Sequence, residues 1–128
     1  MGIYGYIRLN SHRPTPKSLG LREQARVIRQ WSEDQGLEIS KIFRDIVPSS
    51  ASLELPNLQK LISLIEQGKV HVLVIARLDR FTRTIRLHQQ LLQLFSEHKI
   101  RFVSLEEGLD SKTKNGKKVL EAIGIMAL

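Results

Sequence analysis

VHVLVIARLDRFTR, from Val70 to Arg83, is the stretch that decides the fold. Its first half, Val72 to Ala76, is apolar and rich in β-branched residues, which suits a strand buried on both faces, as in a parallel sheet. Its second half is polar: Arg77, Asp79, Arg80 and Arg83 put three guanidiniums and one carboxylate just past the strand. In open α/β sheets ligands collect outside the carboxyl ends of the strands. Cations fixed there attract a phosphate or another anion.

The flanking sequence repeats this alternation. Gly2 to Leu9 reads as a first strand, and Ser11 to Ser18, with Pro14 and Pro16, as a loop. A helix is expected from near Ser18, its buried stripe being Leu21, Ala25, Ile28 and Trp31 and its stop Gly36. Leu37 to Phe43 reads as strand two, with Arg44-Asp45 at its end. A Pro/Ser loop follows from Val47 to Leu53. Pro56 opens a second helix with Leu58, Leu61, Ile62 and Ile65 inside, closed by Gly68. After strand three a helix is expected from about Thr84, with Leu87, Leu91, Leu94 and Phe95 on one face. Ile100 to Leu105 is a further strand, Glu106 to Gly116 a polar loop, and a last, largely apolar helix starts near Gly116. Regular β-α alternation predicts a mostly parallel four- to five-stranded sheet with helices on both faces, three layers in one domain over 1–128.

Composition narrows the function. With 128 residues, 41% of them hydrophobic, the chain can build one core. A formal charge of +7 favours a polyanionic partner. Without cysteine there is no disulfide, thiolate metal site or Cys nucleophile. His12, His71, His88 and His98 show no ligand spacing, so no metal is expected. No secretory signal and no apolar run of membrane-spanning length is seen, making a cytoplasmic protein the expectation. No phosphate-binding glycine loop of the G-x-x-x-x-G-K-[ST] or G-x-G-x-x-G type follows strand one, which counts against nucleotide binding.

Five motifs stand in a telling order. They are Tyr6-Ile7-Arg8-Leu9 before a polar pair, Ser18-Leu19, Gly68-Lys69-Val70, Leu78-Asp79-Arg80-Phe81-Thr82-Arg83, and Phe102-Val103-Ser104-Leu105-Glu106-Glu107 followed by Gly116. Together they resemble the catalytic domain of serine recombinases, the resolvase/invertase family, over essentially the whole chain. The resemblance implies DNA recombination without metal or cofactor, in processes such as resolution, inversion, integration or transposition of mobile elements. A serine after strand one attacks a DNA phosphodiester, a phosphoserine link forms, and strands exchange within a tetramer. It further implies that Arg8, Arg80 and Arg83 bind the scissile phosphate, and that Asp79 orients an arginine or handles a proton. The last helix would be the start of the family's long dimerisation helix, giving a homodimer. The DNA-reading module that follows that helix in the family is expected to be missing, leaving weak, salt-sensitive DNA binding.

Three positions depart from the family pattern. Asn10 stands where the nucleophilic serine belongs, and a carboxamide yields no alkoxide; the neighbouring Ser11 is the candidate substitute. Arg22 stands at the fifth position of the S-L-x-x-Q element. Leu55-Pro56-Asn57-Leu58 matches the R-P-G-L helix start, so Leu55 replaces an active-site arginine. Arg44 and Arg22 are the cations left to compensate. The sequence therefore supports three readings: a recombinase domain with reduced or lost cleavage, an active one using Ser11, or a non-catalytic assembly module that partners or regulates an active recombinase.

Overall fold

The computed structural model describes residues 2–9, 20–46, 55–77 and 85–126, without the side chains at 9, 85–89 and 123–126. In chain order these form β1 (Gly2–Leu9), α1 (Leu21–Asp34), β2 (Lys41–Ile46), α2 (Pro56–Glu66), β3 (Val70–Ile75), α3 (Ile85–Glu97), β4 (Arg101–Ser104), β5 (Leu109–Asp110) and α4 (Lys114–Met126). The sheet order is β2-β1-β3-β4-β5. The first four strands are parallel and β5 is antiparallel to β4. The expected mostly parallel, doubly wound architecture is what is found.

Strand β3 is central, and its sequence explains why. Val70, Leu73 and Ile75 enter one core with Tyr6, Phe43, Leu58, Leu61, Ile65, Leu91, Phe95, Phe102 and Leu120. Val72 and Val74 enter the other with Ile7, Ile28 and Val103. The strand thus buries apolar side chains on both faces, at about 1.5–3 kcal/mol for each large one. Helix α1 lies on the second face. Gly5 lets it sit close, since a Cβ there would come within 3.2 Å of both Ile28 and Ile42. Helices α2 and α3 cover the first face.

Helix ends follow local chemistry. Pro56 fills the first turn of α2, and Gly36 and Gly68 take positive φ of 68° and 75° after α1 and α2. The polar loop expected over 106–116 contains β5, pinned by a two-pronged Arg101–Asp110 ion pair at 3.0 and 2.7 Å. Arg101 also lies over the Trp31 ring at 5.4 Å, tying β4 to α1.

Two boundaries differ from the sequence reading. Strand β2 runs from Lys41 to Ile46 rather than from Leu37 to Phe43. Leu37 and Ile39 belong to the exit from α1: the Leu37 N–H bonds the Ser32 carbonyl, and the Ser40 N–H bonds the Ile3 carbonyl. Apolar residues in such a crossing mimic strand alternation. The consequence is chemical, because Asp45 becomes a residue inside a strand, paired in register with Arg8. The last helix begins at Lys114, slightly ahead of Gly116.

Candidate active site

The order β2-β1-β3 places the topological switch point between β1 and β3, where a doubly wound sheet opens its ligand crevice. Arg8 sits there, at the carboxyl end of β1. The β1–β3 register runs only to Tyr6 opposite Ile75, so Arg8 lies beyond the paired region on that side. The Gln24 carboxamide of α1 grips its backbone instead: Oε1 accepts from the Arg8 N–H at 3.2 Å, and Nε2 donates to the Arg8 carbonyl at 2.9 Å. Gln24 is fully buried and Arg8 is 2% exposed. Such a two-way clamp imitates one rung of a strand ladder and satisfies both buried backbone groups.

Tyr6, Arg8, Phe43 and Asp45 share one face of the sheet, by the pleat and by the pairings Tyr6–Phe43 and Arg8–Asp45. The Tyr6 hydroxyl donates to Asp45 Oδ2 at 2.8 Å. The same carboxylate accepts the backbone N–H of Leu58 at 2.9 Å and, on Oδ1, that of Asn57 at 3.0 Å. Asp45 therefore caps α2 from outside the helix, satisfying orphan donors and meeting the positive end of its dipole. Burial pushes the Tyr6 phenol well above its ordinary range, the bonded Asp45 carboxylate adds to the rise, and the Arg8 charge opposes it. Tyr6 is thus a neutral donor that fixes Asp45 beside Arg8. Leu55, in the place of the expected arginine, is 4% exposed and packs in the α2–α3 core.

The other sequence candidates separate. Arg22 is exposed on α1, so Gln24, two residues on, is the glutamine that meets the site. Arg44 is exposed on the opposite sheet face from Asp45, and its carbonyl accepts from Asn57 Nδ2 at 2.6 Å. At the next strand ends, Arg77 Nε stands 3.6 Å from Glu106 Oε2, and the buried Ser104 hydroxyl donates to Glu107. Asn10, Ser11, Asp79, Arg80 and Arg83 lie outside the described residues. The sequence reading missed Gln24 and gave Asp45 no role. An uncharged glutamine on the inner stripe of an amphipathic helix was the available signal for the first. An aspartate ahead of a helix opening with proline was the signal for the second.

The switch-point crevice is thus backed by a buried arginine whose backbone Gln24 holds on both sides. Comparison with known proteins then places the chain. Residues 3–128 match the family model described as Resolvase, N terminal domain, and the chain belongs to that family. The transposon Tn917 resolvase of Enterococcus faecalis is 29% identical over 89 residues, covering 70% of this chain and 47% of the resolvase. The DNA-invertase of Escherichia phage P1 is 26% identical over 125 residues, 98% of this chain and 60% of the invertase. The chain thus spans about half the length of these curated relatives. Among solved structures, the N-terminal catalytic domain of TP901-1 integrase superposes with a TM-score of 0.87 at 27% identity, covering 98% of this chain and 93% of that one. The catalytic domain of an IS607-like serine recombinase, at 21% identity and a TM-score of 0.69, shares the fold.

Proposed function

We propose that this chain is the strand-cleaving and rejoining domain of a serine site-specific recombinase acting on DNA, with cleavage slowed by its altered site. The observation that carries this reading is Arg8: a buried guanidinium, held at both backbone groups by Gln24 and set beside Asp45, at the switch point of a resolvase-family sheet. Arg8 with Arg80 and Arg83 would hold the scissile phosphodiester and spread the charge of its pentacoordinate state, where positioning and electrostatics supply most of the catalysis. Asp79 would orient one of these arginines or take a proton. No metal or cofactor is called for.

Covalent attack needs a hydroxyl. With Asn10 at the family's nucleophile position, Ser11 is the hydroxyl that follows it. Its oxygen would bond to phosphorus, the bond to the leaving deoxyribose oxygen would break, and the serine proton would pass to solvent or a base while the leaving oxygen is protonated. The reverse steps rejoin the strand, because the phosphoserine link keeps the ester bond energy. The protein would act in the cytoplasm as a homodimer through the helix begun by α4, assembling as a tetramer on paired sites. Arg22 and Arg44 would add contacts to DNA. Among the described residues no helix is long and apolar enough to cross a membrane.

The experiment is a cleavage assay on a nicked suicide duplex, read as a protein–DNA adduct on a denaturing gel. The proposal expects a slow adduct from the native chain that disappears in Ser11→Ala. No adduct from the native chain under any condition overturns cleavage. It would leave the second reading, an assembly module that pairs with an active recombinase, for which Asn10 and the buried Leu55 already speak.

A further inference from the structure

Helix α1 carries a pattern unrelated to its core stripe. Arg22, Arg26 and Arg29 are all exposed and spaced i, i+4 and i+7, so they form one row along the helix. Glu23 and Asp34 project about a third of a turn away, on a neighbouring strip. Glu33 continues the arginine row at its far end and closes it. The direction of the row follows from Trp31, half a turn around the helix, whose ring lies against Arg101 of β4. That side of α1 faces β4, so the arginine row lies on the outward side of the helix, toward the β2 edge.

On that side, among the described residues, the outer end of the edge strand is exposed. Helix α1 packs over β1 and β3, leaving the edge strand β2 beside it. Arg44 pairs in register with Ile7, whose side chain lies under α1, so Arg44 projects to the α1 side. It is exposed, and Ile46 beyond it is 51% exposed. Arg22, Arg26, Arg29 and Arg44 thus form an exposed basic strip on the outer side of α1 and the outer end of β2. The strip starts at the end of α1 whose Gln24, on the inner face, grips Arg8. Glu23 bonds Arg26 Nε at 2.9 Å, but both side chains are largely exposed, and such a pair is readily exchanged for a phosphate contact.

We infer that this basic strip is a second DNA contact, taking the sugar–phosphate backbone of the duplex arm that leads away from the scissile phosphate. The inference rests on the proposed action on DNA. From Arg22 to Arg29 the helix rises about 10 Å. Over that length one DNA strand offers about three phosphates, at roughly 3.4 Å of duplex axis each. Arginine suits the task because its planar fork bonds phosphate oxygens in pairs. The contact reads no bases, so it adds affinity without sequence preference.

Fluorescence anisotropy with a labelled random-sequence duplex, over a salt series, tests this on the full chain. The combined variant Arg22→Gln, Arg26→Gln, Arg29→Gln is expected to flatten the log K against log salt slope by about 2 to 3, near 0.9 for each phosphate left without its arginine. Circular dichroism should be unchanged, as all three side chains are exposed and glutamine is a fair helix former. A control removing equal charge elsewhere, Lys112→Gln, Lys117→Gln, Lys118→Gln, should keep the native slope. Equal slopes in the native protein and the arginine variant overturn the strip contact, and so does equal flattening in the lysine control, which marks diffuse attraction. Polyglutamate binding as strong as DNA binding, lost in the arginine variant, overturns it in favour of an acidic protein partner. Failure of the native chain to bind duplex at any salt instead sinks the underlying DNA reading.

Discussion

Asp45→Ala is expected to be among the most destabilising substitutions in the chain, by about 3 to 4 kcal/mol. Three donors lose their acceptor at once: the Tyr6 hydroxyl and the N–H groups of Asn57 and Leu58. Losing a helix cap costs about 1 kcal/mol, and a buried donor left unpaired about 1–3 kcal/mol more. Tyr6 has no exposed surface through which water could substitute. For a domain of this size the change should lower Tm by roughly 10 °C or more. Asp45→Asn keeps an acceptor oxygen and should lose about half as much. Denaturant melts of the two variants check the order. A loss under about 1 kcal/mol in Asp45→Ala would mean that the carboxylate does not hold β2, α2 and Tyr6 together.

The second large effect is a gain. Asn10→Ser should raise the rate of covalent adduct formation on a suicide duplex by on the order of 10²-fold or more, the scale on which a missing nucleophile matters. Position 10 is the family's nucleophile position, whereas Ser11 stands one residue beyond it. Adding Ser11→Ala to Asn10→Ser should then change little, because the hydroxyl at the family's position has taken over. Leu55 would still withhold one guanidinium, so full family activity is not expected: a missing stabilising group of this kind costs about 10²–10³ in rate. An Asn10→Ser protein that binds DNA yet forms no more adduct than the native chain would place the defect outside the nucleophile.

The sheet is readable from sequence because β3 is apolar on both faces and the helices beside it keep a period of 3.6. Val70 to Ala76 could hardly be anything but a central strand. Strand β2 is misplaced by the sequence pattern because Leu37 and Ile39 alternate like strand residues while serving the exit from α1. Their role is set by contacts with Ser32 and Ile3, which no local pattern encodes. The two-residue β5 is hidden for a related reason, since its pairing depends on Arg101 reaching Asp110. The site divides in the same way. Arg8 is legible from its place at the end of an apolar strand and from its motif. Its support is not: Gln24 and Asp45 are polar residues whose burial is decided by partners distant in sequence. Counting along the S-L-x-x-Q pattern leads to Arg22, while the helix turns Gln24 inward.

The most direct test of the central claim, that the β1–β3 crevice receives a DNA phosphodiester at Arg8, is nitrogen-15 NMR of the arginine side chains during titration with a short dinucleotide. The Arg8 Nε–Hε resonance is predicted to shift and saturate, with Arg80 and Arg83 following the same isotherm and Arg101, locked to Asp110, staying still. An unmoved Arg8 resonance while other arginines saturate would contradict the account.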